Sequence, residues 1–318
     1  MTDRFVDLPG ARIYVVDDGS PLDQPILLLH AGIADSRSWD DFAPLLVDVG
    51  YRVLRRDMRG FGRTETEDIE FSNRADVVAV LDALDIGQVV LVGNSAGGQI
   101  AIETAIEYPD RIAAVIGLAA GLGGFESQPT PEVVELFEHG DALESAYLKA
   151  PSEAAAAALV DFEVDVWVNG PGQPTDRVPA SIRDAVRAMD AVHYTPGRAH
   201  GRPVPLLPRA NDRLAELRCP VLAVGGALDL SDVTQAALHL EAKVPGARAV
   251  VLPDVAHLIA MEAPGQLAAL MIGFLASLPR WSCRRGTDAG CRRSQDADSQ
   301  AIRSARVLEQ QLVSRNQA

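Results

Sequence analysis

Hydrophobic and polar positions follow two different periods along the first 120 residues. Five short runs rich in Val, Ile and Leu predict β-strands, at 12–16, 25–29, 52–55, 89–92 and 112–118. Three stretches with an apolar residue every three or four positions predict helices, at 39–48 with Ser38 as the N-cap, at 74–84 and at 96–108. Alternation of this kind predicts an α/β fold with a mostly parallel sheet and helices on both faces.

This alternation stops at Ala120 and resumes near Leu206. The intervening segment predicts only helical pieces separated by Gly-Pro turns, at 131–138, 142–148, 153–167 and 180–189. Strand patterns return at 220–224 and 249–252, and a last helix is predicted at 266–278. We therefore expect one α/β domain formed by residues 1–120 and 206–279, with a helical cap at 121–205. Residues 280–318 are rich in Arg, Ser, Gln and Asp, a composition typical of a disordered tail.

Composition and charge narrow the possible functions. Hydrophobic residues make up 47% of the chain and charged residues 23%, which is ordinary for a globular protein. The net charge of −15 disfavours nucleic acid as a partner. No apolar run reaches the length of about 18 residues that a membrane-spanning helix needs. Residues 1–9 resemble no signal peptide, and the three cysteines are too few and too clustered for a disulfide scaffold or a zinc site. We expect a cytoplasmic protein without a membrane partner, and its oligomeric state is left open.

The strongest chemical signal is the segment 93–98, Gly-Asn-Ser-Ala-Gly-Gly, which lies directly between a predicted strand and a predicted helix. The G-x-S-x-G nucleophile elbow requires this context, because a tight strand-to-helix turn lifts the serine hydroxyl above the sheet. Gly93 and Gly97 would permit the close approach of strand and helix. The segment predicts Ser95 as a nucleophile.

A second segment, 28–33 (Leu-Leu-His-Ala-Gly-Ile), also follows a strand. The backbone N–H groups of Gly32 and Ala96 are the expected donors of an oxyanion hole, and the N–H of Ile33 is the alternative to that of Gly32. Each such donor is worth about 3 kcal/mol in the transition state. His30 is expected to brace the loop and not to titrate in catalysis.

His257 is the histidine that follows a core strand near the end of the fold, and it is the predicted base. Asp229 follows the strand 220–224 after a glycine-led turn and is the predicted orienting acid. Asp232, expected to cap the next helix, and Asp254, expected in a turn, are its rivals. The remaining histidines are expected to be structural or solvated, namely His139, His193, His200 and His239.

The order Ser95, Asp229, His257 and the segment 57–62 (Asp-Met-Arg-Gly-Phe-Gly) resemble α/β-hydrolase-fold enzymes of the lactonase and esterase type. The resemblance extends from Ile13 to Leu278. It implies an eight-stranded sheet, a cap inserted after the sixth strand, and a structural turn at 57–62. Serine at the elbow speaks against haloalkane dehalogenases and soluble epoxide hydrolases, which have aspartate there. The cap segment 167–172 (Trp-Val-Asn-Gly-Pro-Gly) resembles 3-oxoadipate enol-lactonase-like proteins.

The sequence thus predicts a serine hydrolase that cleaves a small carboxylic ester or lactone through an acyl-enzyme, with no metal and no organic cofactor. Two alternatives stay open. One is a hydrolase that cleaves a carbon–carbon bond of a ring-fission product, and the other is a non-catalytic, hydrolase-like sensor or partner-binding protein. Ile33, Phe125 and Trp167 are candidate substrate contacts, and Phe162 and Met189 are further candidates for the pocket wall.

Overall fold

A twisted sheet of eight longer strands organises the computed structural model, which describes residues 1–278. The strands are β1 (Thr2–Leu8), β2 (Ala11–Asp18), β3 (Gln24–Leu29), β4 (Tyr51–Arg56), β5 (Val89–Asn94), β6 (Ile112–Leu118), β7 (Val221–Gly226) and β8 (Arg248–Leu252). Their spatial order is β1-β2-β4-β3-β5-β6-β7-β8. Strand β2 runs antiparallel to both of its neighbours, and the strands from β4 to β8 are parallel. The predicted fold class is confirmed.

Two features of the sheet differ from the expectation. A two-residue strand at Glu65–Thr66 pairs with β2, so the sheet has nine strands where the family resemblance implies eight. Strand β1 lacks a predicted counterpart, because four of its seven residues are polar and only Val6 is buried. It forms through regular antiparallel pairing with β2, from Thr2 opposite Asp17 to Leu8 opposite Ala11.

The central strands are apolar on both faces because helices cover both faces. In β3, Leu27 and Leu29 pack in one hydrophobic cluster, while Ile26 and Leu28 pack in the other. The first cluster contains residues of α2 (Asn73–Ala83), α3 (Ala96–Glu107) and α7 (Ser231–Lys243), and the second contains residues of α1 (Ala43–Val47), α8 (Ile259–Glu262) and α9 (Pro264–Ser277).

The predicted start of the first helix, at residue 39, is wrong. A short 3₁₀ helix at Ser36–Trp39 comes first, and α1 begins only at Ala43 with a proline in its first turn. The cap residue is Asp35, whose side chain accepts the N–H of Arg37 at 2.9 Å. Asp35 also binds the Arg37 guanidinium at 2.6 Å, and this contact favours the earlier turn over a cap at Ser38.

Between β6 and β7 the chain forms α4 (Pro131–Lys149), α5 (Glu153–Glu163), a π-helical turn (Val164–Asn169) and α6 (Ala180–His193). We use the name cap for residues 121–205. The two helices predicted at 131–138 and 142–148 are one continuous helix, in which Gly140 lies close against the ring of Phe162. After α6, the pair Arg202–Pro203 runs parallel to Glu70–Phe71 of the core.

Across residues 1–278, none of the helices combines the length and the apolar character needed to cross a bilayer. The predicted disordered tail at 280–318, with Cys283 and Cys291, lies outside the described residues.

Candidate active site

The predicted nucleophile lies in a strained turn. Ser95 follows β5 directly and precedes the first residue of α3, with φ 54° and ψ −115°. Its N–H donates to the carbonyl of Leu118 at the end of β6, at 2.9 Å. Positive φ at a non-glycine residue is costly and persists only where the surroundings impose it, which is common at active sites.

The glycines of the elbow show why the turn can be so tight. A Cβ atom on Gly97 would overlap the carbonyl oxygen of Leu29 and come within 2.6 Å of that of His30. A Cβ atom on Gly93 would overlap the carbonyl of Gly97. No side chain fits at either position, so the two glycines allow α3 to start directly against β3 and β5.

The predicted base and acid are in contact. His257 Nδ1 lies 2.7 Å from Asp229 Oδ2, and both side chains are almost completely buried. The other oxygen, Asp229 Oδ1, accepts the N–H of Leu230 at 2.8 Å. Because the carboxylate is held at both oxygens, it fixes the orientation of the imidazole and leaves Nε2 as the ring nitrogen that can exchange a proton.

Asn94 connects the elbow to the histidine loop. Its side-chain nitrogen donates to the carbonyl of His257 at 3.0 Å and to that of Leu118 at 3.3 Å. Asn94 thereby ties the residue before Ser95 to the backbone of the histidine loop. Sequence reasoning missed the role of Asn94, although it is the variable residue before the nucleophile in the elbow motif.

The predicted oxyanion donors are neighbours. A Cβ atom built on Gly32 would lie 3.9 Å from the Cβ of Ala96. Among the described residues, no protein acceptor engages the N–H groups of Gly32, Ile33 or Ala96. His30 holds this loop: its Nδ1–H donates to the Ala31 carbonyl at 2.8 Å and its Nε2 accepts the N–H of Met58 at 2.9 Å. Burial lowers the pKa of His30, which keeps the ring neutral in the bracing role that the sequence predicts.

The cap covers the site with apolar side chains. The ring of Trp167 lies 4.5 Å from that of His257, centroid to centroid. Ile33 is buried in a cluster that also contains Val168 and Met189 of the cap, with Trp167 packed against it. Phe125 is placed elsewhere, because its ring packs against His239 at 4.8 Å and against the cluster beneath α3. The structure therefore groups Ile33 and Trp167 and leaves Phe125 outside that group.

The alternative histidines and acids have other partners. His139 packs on Phe162, His239 contacts Asn211, and His193 stacks on Phe61 at 4.1 Å. His193 also packs edge-to-face on His200, at 4.4 Å between ring centroids. Asp232 lies in the first turn of α7 and not at its N-cap, which is Leu230. Asp254 is exposed in a turn, as expected.

The segment 57–62 forms a structural turn beside the site. Asp57 Oδ1 accepts the N–H of Ser36 at 2.8 Å, and Oδ2 accepts that of Arg63 at 2.6 Å. Its carbonyl accepts the Thr64 hydroxyl at 2.8 Å. Gly62 has φ 46°, and a Cβ atom there would overlap the Asp57 carboxylate. Among residues 1–278, no group of three or more His, Cys, Asp or Glu side chains is arranged to hold a metal ion.

The sheet order, the serine elbow and the cap together define the class of α/β-fold hydrolases. A family model described as alpha/beta hydrolase fold matches residues 24–264, and the chain belongs to this family. The resemblance seen in the sequence is confirmed.

The relatives include ester hydrolases. Rhodomycin D methylesterase DauP from Streptomyces sp. is 30% identical over 292 residues, which cover 85% of this chain and 96% of the relative. A 2-hydroxy-6-oxononadienedioate/2-hydroxy-6-oxononatrienedioate hydrolase of Escherichia coli is 26% identical over 291 residues, covering 86% and 96%. The enol-lactonase from Burkholderia xenovorans LB400 is a solved structure with a TM-score of 0.63 and 21% identity, covering 86% of this chain and 100% of the other, and it shows the shared fold. The protein is an α/β-fold hydrolase, and its relatives support a carboxylic ester hydrolase.

Proposed function

We propose that the protein is a serine hydrolase that cleaves a small carboxylic ester or lactone with Ser95, His257 and Asp229. The observation that carries this proposal is the strained backbone of Ser95 at the strand–helix turn, beside the buried contact of His257 with Asp229. Ser95 attacks the carbonyl carbon while His257 Nε2 takes the hydroxyl proton. His257 then returns that proton to the departing alkoxide, and an acyl-enzyme remains.

Hydrolysis of the acyl-enzyme completes the cycle. A water molecule gives its proton to His257 and attacks the acyl carbon, and Ser95 leaves with that proton as the carboxylic acid product forms. The N–H groups of Gly32 or Ile33 and of Ala96 would bind the negative oxygen in both steps. Asp229 stabilises the charged imidazole while the proton is held there.

Ser95→Ala tests the nucleophile, with Ser38→Ala as a matched control away from the elbow. Ser95→Ala should abolish labelling by a fluorophosphonate probe and reduce kcat at least a thousandfold, as is typical for loss of a nucleophile. Mass spectrometry should place the label on Ser95 in the wild type. More than a tenth of wild-type kcat in Ser95→Ala would refute the assignment. Absence of labelling and turnover in the wild type would favour the non-catalytic sensor.

The size of the substrate follows from the cap. Trp167 and Ile33 lie close to the site, and a closed cap excludes water and large acyl groups. We expect turnover of p-nitrophenyl esters to fall from C2 to C12, and Trp167→Ala to shift this preference more than it changes the rate of labelling by a small phosphonate. A maximum at the long end would contradict the small pocket.

Carbon–carbon hydrolysis is the second candidate, because the Escherichia coli relative of that type aligns over 86% of this chain. A panel of methyl esters, small lactones and dienoic ring-fission products separates the two reactions. Turnover of the dienoic substrate with kcat/KM above that of every ester would replace the ester assignment.

A further inference from the structure

Arg177 of the cap holds the end of the π-helical turn that carries Trp167. Its Nε donates to the carbonyl of Asn169 at 2.6 Å, and its Nη2 donates to that of Val168 at 2.8 Å. These carbonyls lie at the end of Val164–Asn169, where no following helical turn donates N–H groups to them. The guanidinium thereby fixes the turn whose Trp167 ring lies on His257.

The same guanidinium reaches the core next to His257. Arg177 Nη2 forms an ion pair with Glu262 Oε2 at 2.7 Å, and the two side chains are 16% and 6% exposed. Glu262 Oε1 accepts the N–H of Ala256, the residue before His257, at 3.0 Å. Arg177 Nη1 also donates to the carbonyl of Asp254 at 3.3 Å. One carboxylate oxygen therefore binds the cap, while the other binds the histidine loop.

The backbone after the π-helical turn lies directly against this loop. Gly170 has φ 90°, and a Cβ atom there would lie 2.6 Å from the Leu228 carbonyl oxygen and 3.4 Å from the Ala256 Cβ. Leu228 precedes Asp229 and Ala256 precedes His257. The cap thus meets the two loops that carry the proposed acid and base at one place.

We propose that Arg177 and Glu262 are positioning residues for the reaction, which together fix the position of the His257 loop relative to Trp167. We call this pair the Arg177–Glu262 bracket. The inference rests on the proposed function, since it takes His257 as the base. The two residues form hydrogen bonds around the site and not with the side chains of Ser95, Asp229 or His257: the bracket acts through Ala256 on one side and through Val168 and Asn169 on the other.

The electrostatics of the bracket explain why both members are needed. Burial raises the pKa of Glu262, and the hydrogen bond and charge of Arg177 oppose that rise. Asp229 is the further charged group near Glu262, and it also favours the protonated acid. Removal of Arg177 alone would leave a buried carboxyl without its partner, which is costlier than neutralising both residues. The double variant should therefore lose less activity than the two single losses together would predict.

The test compares kcat and KM for a short p-nitrophenyl ester in Arg177→Met, Glu262→Gln, the double variant and Arg177→Lys, well below each variant's melting temperature. We expect Arg177→Met to lower kcat roughly ten- to a hundredfold with KM within about threefold, because misplacement of a base acts on the transition state. The double variant should lose less than the product of the two single losses, and Arg177→Lys should recover part of kcat. Arg187→Met is the matched control, since Arg187 pairs with Asp161 on the exposed face of the cap.

Amide hydrogen exchange gives a second readout that does not depend on turnover. In Arg177→Met, exchange should rise in residues 254–258 and in 164–170 together, and Arg187→Met should change neither segment. If Arg177→Met does not fold, the test compares Glu262→Gln with Glu262→Ala. A Gln oxygen can still accept the Ala256 N–H, and an alanine side chain cannot. Glu262→Gln should then retain more of kcat than Glu262→Ala.

The outcomes separate this inference from the proposed function. Full activity in Ser95→Ala would remove the proposed nucleophile, whatever Arg177→Met does. Ser95 labelling in the wild type, together with an unchanged kcat or an unchanged exchange pattern in Arg177→Met, would overturn the bracket alone. A loss confined to KM would also overturn it, because it would place Arg177 in substrate binding.

Discussion

Replacement of Asp190 should make the stability of the protein less dependent on pH. Asp190 lies on α6 and is 1% exposed, and as a carboxylate neither of its oxygens finds a donor among residues 1–278. Its neighbour Glu163, on α5, accepts the Tyr194 hydroxyl at 3.1 Å through Oε1, while its Oε2 is buried and unpaired. Burial, and then the neighbouring Glu163 carboxyl, raise the pKa of Asp190 to about 10. Burial likewise raises the pKa of Glu163, and Glu144 adds to that rise.

The magnitude follows from proton linkage. A carboxyl group whose pKa is raised in the folded state stabilises the fold fully below its unfolded pKa, which is near 3.9 for aspartate. That stability is lost as the pH rises towards 10. Between these limits the folded protein binds about one proton more than the unfolded chain, so its free energy of unfolding falls by about 1.4 kcal/mol per pH unit from this pair. Asp190→Asn cannot bind this proton. Its free energy of unfolding, relative to that of wild type, should therefore rise by about 3 kcal/mol from pH 6 to pH 8.

Urea unfolding followed by circular dichroism at pH 6, 7, 8 and 9 measures this difference. The matched control is Asp184→Asn, which removes a carboxylate from the exposed face of the same helix. Groups common to both proteins and remote from Asp190 cancel in the comparison with wild type. A difference between Asp190→Asn and wild type that stays constant from pH 6 to pH 9 would show that the folded protein holds no extra proton at Asp190, and the reasoning would fail.

Three further outcomes are expected. Gly97→Ala should prevent folding or abolish activity because its Cβ would overlap the Leu29 carbonyl, whereas Gly273→Ala, with open space in α9, should stabilise by about 0.5–1 kcal/mol in the same urea titration. Burial lowers the pKa of His193 to about 4, so its stabilising contribution is lost as the pH falls from 6.5 towards 4, and His193→Gln should show a shallower acid limb in unfolding experiments than wild type. Burial raises the pKa of Cys219 to about 11, so peptide mapping after iodoacetamide treatment at pH 8 should find it unmodified in the native protein and modified in urea.

The parts of the fold that were predicted from sequence are those whose local pattern and tertiary environment agree. Residues 26–29 of β3 and 89–92 of β5 are all apolar because both faces of these strands are covered, and a side chain at Gly93 or Gly97 would overlap the backbone. Asp229 and His257 could be predicted because each follows a strand of the parallel sheet, and the carboxyl ends of such strands meet at one edge.

Where local and tertiary preferences differ, the prediction failed. Strand β1 is mostly polar and exists because β2 offers it a free edge, which no local pattern reports. The cap at Asp35 replaced the one predicted at Ser38, because its carboxylate binds both the N–H and the guanidinium of Arg37. The break predicted between 138 and 142 is absent: Gly140 continues α4, and its lack of a side chain leaves room for the ring of Phe162.

The proposed bracket could not be predicted from the sequence, because it also depends on tertiary contacts. Arg177 and Glu262 lie in segments without any motif, and their function depends on a burial that only the docked cap creates. The proposed catalytic residues, Ser95, Asp229 and His257, all follow strands of the core. Trp167 and Arg177 come from the cap, where a substitution can change the shape of the pocket without disturbing the sheet. Through the proposed bracket, the cap acts on the loop before His257 as well as on the wall of the site at Trp167.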